Sequence, residues 1–343
     1  MGVMKHIGVV ICCAGIVACI GLTAWSGIDD VRNAVASVGW GMAFVVLTRA
    51  ATVSIAGAGW WLLFPASGRL RLRTTVLLRF VREAVNTLLP LTQVGGDIIG
   101  ARLLTFWAVP GPLAVASIII DVLMQAATQF LFAGLGLVTL VALGADTTVA
   151  MTAATGLALA TPMLGGFYLA QRGGGRRIIR FVLSRVKGDG NWRVLGAVDA
   201  VYQCLSTLYA RRFNLAASSL VHMVGWLIGV TEVLIVLGCM GHPVTIGEAL
   251  VIESLVQAVR GAAFAIPSAL GAQEAGLILL CGIFGIPPDQ ALALSLIKRA
   301  ADLVVGVPGL VALQILEGER LAANHSRCEE YPRTSLELQS ESH

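Results

Sequence analysis

Apolar residues run along this chain in blocks of about bilayer length. The blocks 7–25, 38–63, 112–143, 147–170, 213–240 and 288–316 are long enough, as helices, to cross about 30 Å of hydrocarbon. Six transmembrane helices are predicted. Two further apolar stretches, 74–108 and 245–286, are interrupted near their middles, and each predicts a hairpin of two short helices. Re-entrant and fully crossing hairpins leave the sidedness of the rest unchanged.

The first hairpin places Arg79, Arg82, Glu83 and Asn86 at i, i+3, i+4 and i+7, on one face of a helix that Pro90 ends. Gly95 and Gly96 permit the turn, and Asp97 opens the second arm. The second hairpin has its own polar stripe, Glu253, Gln257 and Arg260, ahead of Pro267, with Gly271 and Glu274 after it. Pro90 recurs as Pro267, Asp97 as Glu274, Pro110 as Pro287 and Ala114 as Ala291, all at an offset of 177 positions. Corresponding interrupted segments of this kind are the sequence signature of a repeat transporter with its site near the bilayer midplane.

Composition agrees with an all-α polytopic membrane protein. Hydrophobic residues make up 57% of 343 positions and charged ones 13%, with a mean hydropathy of +0.82. The basic residues then set the orientation. Arg69, Arg71 and Arg73 fall in one loop, and Arg172, Arg176, Arg177, Arg180, Arg185, Lys187, Arg193, Arg211 and Arg212 fall in 171–212; only Arg32 lies in the loops of the opposite side. Both termini are predicted to be cytoplasmic. Block 7–25 has the look of a secretion signal, but the topology is satisfied with it kept as a span.

With that orientation the two hairpins enter from opposite sides. Residues 1–316 read as a single membrane domain containing an inverted repeat of span, hairpin and span, 38–143 and 213–316, which would bring Pro90 and Pro267 together. The 171–212 segment is a basic cytoplasmic insert whose residues 176–187 have helical basic and apolar spacing, suited to an anionic leaflet. Residues 317–343 lose apolar periodicity and are expected to be a disordered tail.

Charges inside a bilayer need partners or water. Arg49, Asp121, Lys298 and Asp302 are expected to pair internally and hold helices in register. The candidate substrate-binding or coupling residues are Arg79, Arg82, Glu83, Asn86, Asp97, Glu253, Arg260, Glu274 and Arg299. Asp97 and Glu274, in the first turn of each second arm, suit a helix N-terminus and could also carry a proton in a central wet space. Arg82 and Arg260 could grip a phosphate or carboxylate, or pair with those acids. A stripe of Ser218, His222, Gly225, Gly229 and Glu232 suits close helix packing.

Seven cysteines show no CxxC pair, so neither a metal nor a disulfide framework is expected. No nucleophile elbow, phosphate loop or HExxH motif is present, and neither an enzyme activity, a cofactor nor a nucleic-acid partner is expected.

The motif NxLLPxxxVGGD at 86–97, PSALGAQE at 267–274, FGIPPDQALALSLIKRAAD at 284–302 and PGLVALQILE at 308–317 together resemble the lysylphosphatidylglycerol synthase transmembrane-region family. More narrowly, the chain resembles HpnL-type members, encoded with hopanoid biosynthesis genes. The family includes the flippase half of MprF-type proteins, so the resemblance implies a lipid-translocating protein of the bacterial inner membrane. Its substrate would be a hopanoid, a hopanoid precursor or a phospholipid. The soluble aminoacyl-transferase half of MprF is missing, so lipid synthesis is not implied. A non-transporting scaffold for hopanoid-synthesis proteins, recruiting them through 171–212, is the alternative.

Overall fold

The computed structural model describes residues 36–65, 70–89, 95–144, 147–177, 191–263, 269 and 271–340. These residues form ten principal helices and, among them, no strand: α1 Gly41–Leu63, α2 Leu72–Leu88, α3 Gly95–Leu104, α4 Gly111–Ala142, α5 Thr147–Leu169, α6 Asn191–Ala210, α7 Arg212–Cys239, α8 Ile246–Ala262, α9 Ala272–Ile283 and α10 Pro288–Ser340. Five helices, α1, α4, α5, α7 and α10, are long and apolar enough to cross a membrane. The protein is an all-α polytopic membrane protein. The expected span at 7–25, the tips Pro90 and Pro267 and the amphipathic stretch beyond residue 177 lie outside the described residues.

Local chemistry explains where the hairpin arms stop and start. At the first break the Asn86 side chain accepts a hydrogen bond from Gly96 N at 2.7 Å, so the end of α2 caps the start of α3. A Cβ on Gly96 would sit 2.1 Å from the Arg82 carbonyl oxygen, and one on Gly100 2.7 Å from Arg82 Cγ. Only glycine lets α3 lie this close to α2. At the second break Gly271 takes φ +79°, and its N–H donates to Glu274 Oε2 at 2.7 Å. Helix α8 opens with a full capping box, Thr245 with Glu248.

The packing comes in matched pairs. Within one half α1 lies on α2, α2 on α3 and α3 on α4; within the other α7 lies on α8, α8 on α9 and α9 on α10. Across the halves α2 packs on α10 as α8 packs on α4, and α1 meets α7 along an extended seam. This is the pairing pattern that exchange of the two halves by a twofold rotation would preserve. Each hairpin's first arm is therefore clamped by the closing span of the other half.

Helix α5 lies at the periphery against α4, and α6 packs across α4 at one end. A π turn, Ala170–Gly174, joins α5 to the insert, where Gly173 takes φ +121°. Tyr209 of α6 donates to Gln171 Oε1 at 2.6 Å, and burial pushes its phenol up to about 12.

Helix α10 is assigned to Ser340, past the end of its apolar pattern near residue 317. The extension is supplied by local propensity rather than an apolar stripe: Glu, Arg, Leu and Ala dominate its start, and all favour helix.

Candidate functional site

Two buried clusters of charge sit at corresponding places in the two halves. The first is centred on Asp121 in α4, which is fully buried. Its Oδ2 accepts from Arg82 Nη1 at 2.8 Å, Arg79 Nη1 at 3.3 Å and Gln125 Nε2 at 2.9 Å. Its Oδ1 faces His222 Nε2 of α7 at 3.1 Å. Arg82 spends its remaining nitrogens on Asp97, with Nε and Nη2 at 2.9 and 2.6 Å from Oδ1, while its guanidinium lies 4.6 Å over the Trp60 ring. Arg79 also reaches Gln125 at 2.7 Å and Glu83 at 3.3 Å.

The second cluster is centred on Lys298 in α10, also fully buried. Its Nζ donates to Glu232 of α7 and Glu253 of α8, each at 2.8 Å. Gln257 donates to the other oxygen of Glu253 at 2.8 Å. Arg49 of α1 reaches Asp302 at 2.9 Å and Glu232 at 3.5 Å, and Arg260 stands 4.0 Å from Asp302. Asp121 and Lys298 occupy equivalent repeat positions, 177 apart, and carry opposite charges.

A third, smaller group lies at the second hairpin. Glu274 accepts from Arg299 Nε at 2.7 Å and from Ser295 at 3.0 Å, and Ser295 in turn accepts from Gln273 at 2.9 Å.

This geometry assigns partners that spacing alone could not. Arg82 pairs with Asp97, one of the two roles open to it. Glu274 pairs with Arg299 instead of Arg260, because the closing span brings Arg299 past the start of α9. Asn86, expected to face a substrate, serves as the cap of α3. Arg49, Asp121, Lys298 and Asp302 pair internally, as expected from the cost of burying single charges. The expected wet space is closed among the described residues: the acids and bases neutralise one another.

A small cleft lies between α1, α2 and α10, bearing Arg49, Glu83, Thr87 and Asp302 beside apolar Phe80 and Val305. Its unfilled space is about 230 Å³ counting the open side, with room for about one water. Arg49 Nη2 is buried there without a hydrogen bond, although the carboxylates of Asp302 and Glu232 lie within ion-pair range. Sequence reading did not place Arg49, Thr87 or Asp302 at a site, since they lie on three helices distant in sequence. The signal available was the rarity of Arg49 and Asp302 in otherwise apolar spans. Among the described residues no group of His, Cys, Asp and Glu has the arrangement of a metal site.

Comparison with curated proteins and with solved structures gave no match. A family model does match, over residues 7–309, and its description ties the fold to membrane lipids. The chain belongs to the lysylphosphatidylglycerol synthase transmembrane-region family.

Proposed function

We propose that this protein moves a polar-headed lipid across its membrane, without chemical change, and that the headgroup first engages the cleft between α1, α2 and α10. The observation that carries this reading is the cleft itself. It lies where one half meets the other, mixes charged and apolar lining, and holds a buried guanidinium with an unused donor. A lipid oxygen could satisfy that donor while its chains remain in the bilayer.

A cleft with room for about one water belongs to a closed state of this transport cycle. Admitting a headgroup requires the two halves to separate along the α2 and α10 seam, with Arg49 exchanging Asp302 for the ligand. Alternation then follows from matched hairpins clamped by opposite halves. The resemblance to HpnL-type sequences favours a hopanoid or hopanoid precursor as cargo, and a bacterial inner membrane with both termini cytoplasmic as its location.

The test is transbilayer movement of headgroup-labelled lipids, hopanoid and phospholipid in parallel, in proteoliposomes. Arg49→Gln and Asp302→Asn are expected to slow movement at least tenfold at equal protein level. Wild-type rates in both variants would remove the cleft from the route, and no movement of any lipid by the wild-type protein would remove the function.

A further inference from the structure

Three of the chain's four tyrosines, Tyr168, Tyr202 and Tyr209, gather where α5 ends in its π turn. Tyr202 and Tyr209 lie seven residues apart on α6, two helical turns, so both reach the π turn from one face. Tyr202 donates to the Ala170 carbonyl at 2.9 Å, and Tyr209 donates to Gln171 Oε1 at 2.6 Å. Gly175 permits this approach, since a Cβ there would stand 2.6 Å from the Tyr202 oxygen. The turn is thereby held down on α6, and Gln171 is only 5% exposed.

Holding the turn this way leaves one polar group unmet. With Oε1 taken by Tyr209, the Gln171 amide nitrogen is buried and has no hydrogen-bond partner. Buried donors are nearly always paired, so this one calls for an acceptor from outside the chain. A cation stands on the same ring: Arg172 Nε donates to the Tyr168 hydroxyl at 2.8 Å, and its guanidinium lies 5.5 and 5.2 Å from the Tyr168 and Tyr209 ring centres. Those two rings meet edge to face at 6.0 Å. Arg176, four residues on, is neutralised by Asp199 at 2.7 Å, whereas among the described residues no carboxylate pairs with Arg172.

We propose that Gln171 and Arg172 form a binding site for the phosphate of a membrane phospholipid, held at headgroup level against Tyr168 and Tyr209. A phosphodiester supplies both the acceptor that the amide lacks and the negative charge that the guanidinium lacks. The place suits a lipid rather than a soluble anion. The most apolar stretch of the span Thr148–Arg177 is left bare by the protein, so hydrocarbon chains can lie along it. Tyrosine and arginine at the end of such a span mark the headgroup layer.

The order of engagement follows from exposure. Arg172 is exposed and meets the phosphate first; the buried Gln171 nitrogen engages once that arginine changes rotamer and draws the headgroup in. The site is separate from the cleft. Its residues lie on α5, the π turn and α6, while the cleft is lined from α1, α2 and α10. It holds a resident lipid, and its occupancy does not depend on whether any lipid is moved.

The experiment uses the full chain in a maltoside detergent, which carries no phosphate. Phosphatidylglycerol with a photo-crosslinker on its headgroup is added, and the labelled peptides are located by mass spectrometry. Labelling is expected at the end of α5 and on the facing part of α6. Unlabelled phosphatidylglycerol should compete, whereas diacylglycerol, which has the chains without the phosphate, and inorganic phosphate at equal concentration should not. Gln171→Glu sets a carboxylate where the phosphate would lie, and Arg172→Gln removes the charge; each is expected to weaken capture about tenfold or more. Arg172→Lys should keep part of it, and Arg102→Gln, at an exposed arginine of α3, should leave it unchanged. Equal competition by diacylglycerol, or capture at these peptides unaltered in both Gln171→Glu and Arg172→Gln, overturns the proposal. Equal competition by inorganic phosphate overturns the assignment to a lipid. Should Gln171→Glu fail to fold, Arg172→Gln, at an exposed position, still decides it.

Discussion

The Asp121 cluster and the Lys298 cluster occupy the same place in two copies of one backbone plan, yet their central charges are opposite. At Asp121 an acid is surrounded by two arginines and a histidine; at Lys298 a base is surrounded by two glutamates. The repeat has therefore kept the position at which a buried charge can be partnered and not the sign of that charge. What fixes the sign is the neighbouring helix, since a lone ion in hydrocarbon is costly whichever sign it has. The hairpin acids show the complementary case. Asp97 and Glu274 keep the same sign at the same offset, but one is held by its own hairpin's Arg82 and the other by the closing span's Arg299.

Removing each central charge in turn is the strongest way to break the comparison, and the two losses should not be equal. Among the described residues Lys298 is the one short-range donor to Glu232, which otherwise has Arg49 at 3.5 Å, and it shares Glu253 with Gln257, so Lys298→Met removes the central partner of two buried carboxylates. The expected cost is about 3–5 kcal/mol, seen as a large fall in the unfolding midpoint in detergent. Adding Glu232→Gln and Glu253→Gln to Lys298→Met should recover most of it. Asp121→Asn should cost less, about 2–3 kcal/mol, because Arg82 keeps Asp97 and Arg79 keeps Glu83 and Gln125. Equal losses would mean that the partners of Asp121 do not act as a shared network.

Much of this arrangement was legible before any coordinates. From residue 38 on, the apolar blocks set the spans within a few residues, and proline followed by glycine marked both hairpin breaks, because those residues act on their own backbone. The offset between Pro90 and Pro267 led to matched halves. Partners were harder to read, since a charge in one span can meet any of several others once the chain folds. Arg82 and Asp97 lie in one hairpin, and pairing was one of the roles open to them. Glu274 with Arg299, and Arg49 with Asp302, depend on how helices pass one another, which spacing does not encode. The extent of α10 beyond residue 317 follows backbone propensity, to which an apolar pattern is blind.

Finer contrasts come from the hairpin acids. Asp97 rests on a guanidinium whose side chain is 2% exposed, against 15% for the Arg299 that holds Glu274. Asp97→Asn is therefore expected to cost about 2 kcal/mol and Glu274→Gln about 1 kcal/mol, since Gln can still accept the Gly271 N–H. Thermal unfolding in a single detergent series would rank them, and a reversed order would show that burial does not set the difference.

The smallest effect supplies the reference for all the others. Arg102 of α3 meets Glu317 of α10 at 2.8 Å, a length as short as the buried pairs, but its side chain is 57% exposed. Distance alone would rank it with Lys298. Water and counterions screen the attraction, and holding two long side chains in register costs entropy, so Arg102→Gln should change stability by about 0.5 kcal/mol or less. The buried pairs should also resist added salt while this one weakens. A loss at Arg102 rivalling that at Asp97, undiminished in high salt, would mean that the rim of the first hairpin is shielded as fully as its centre.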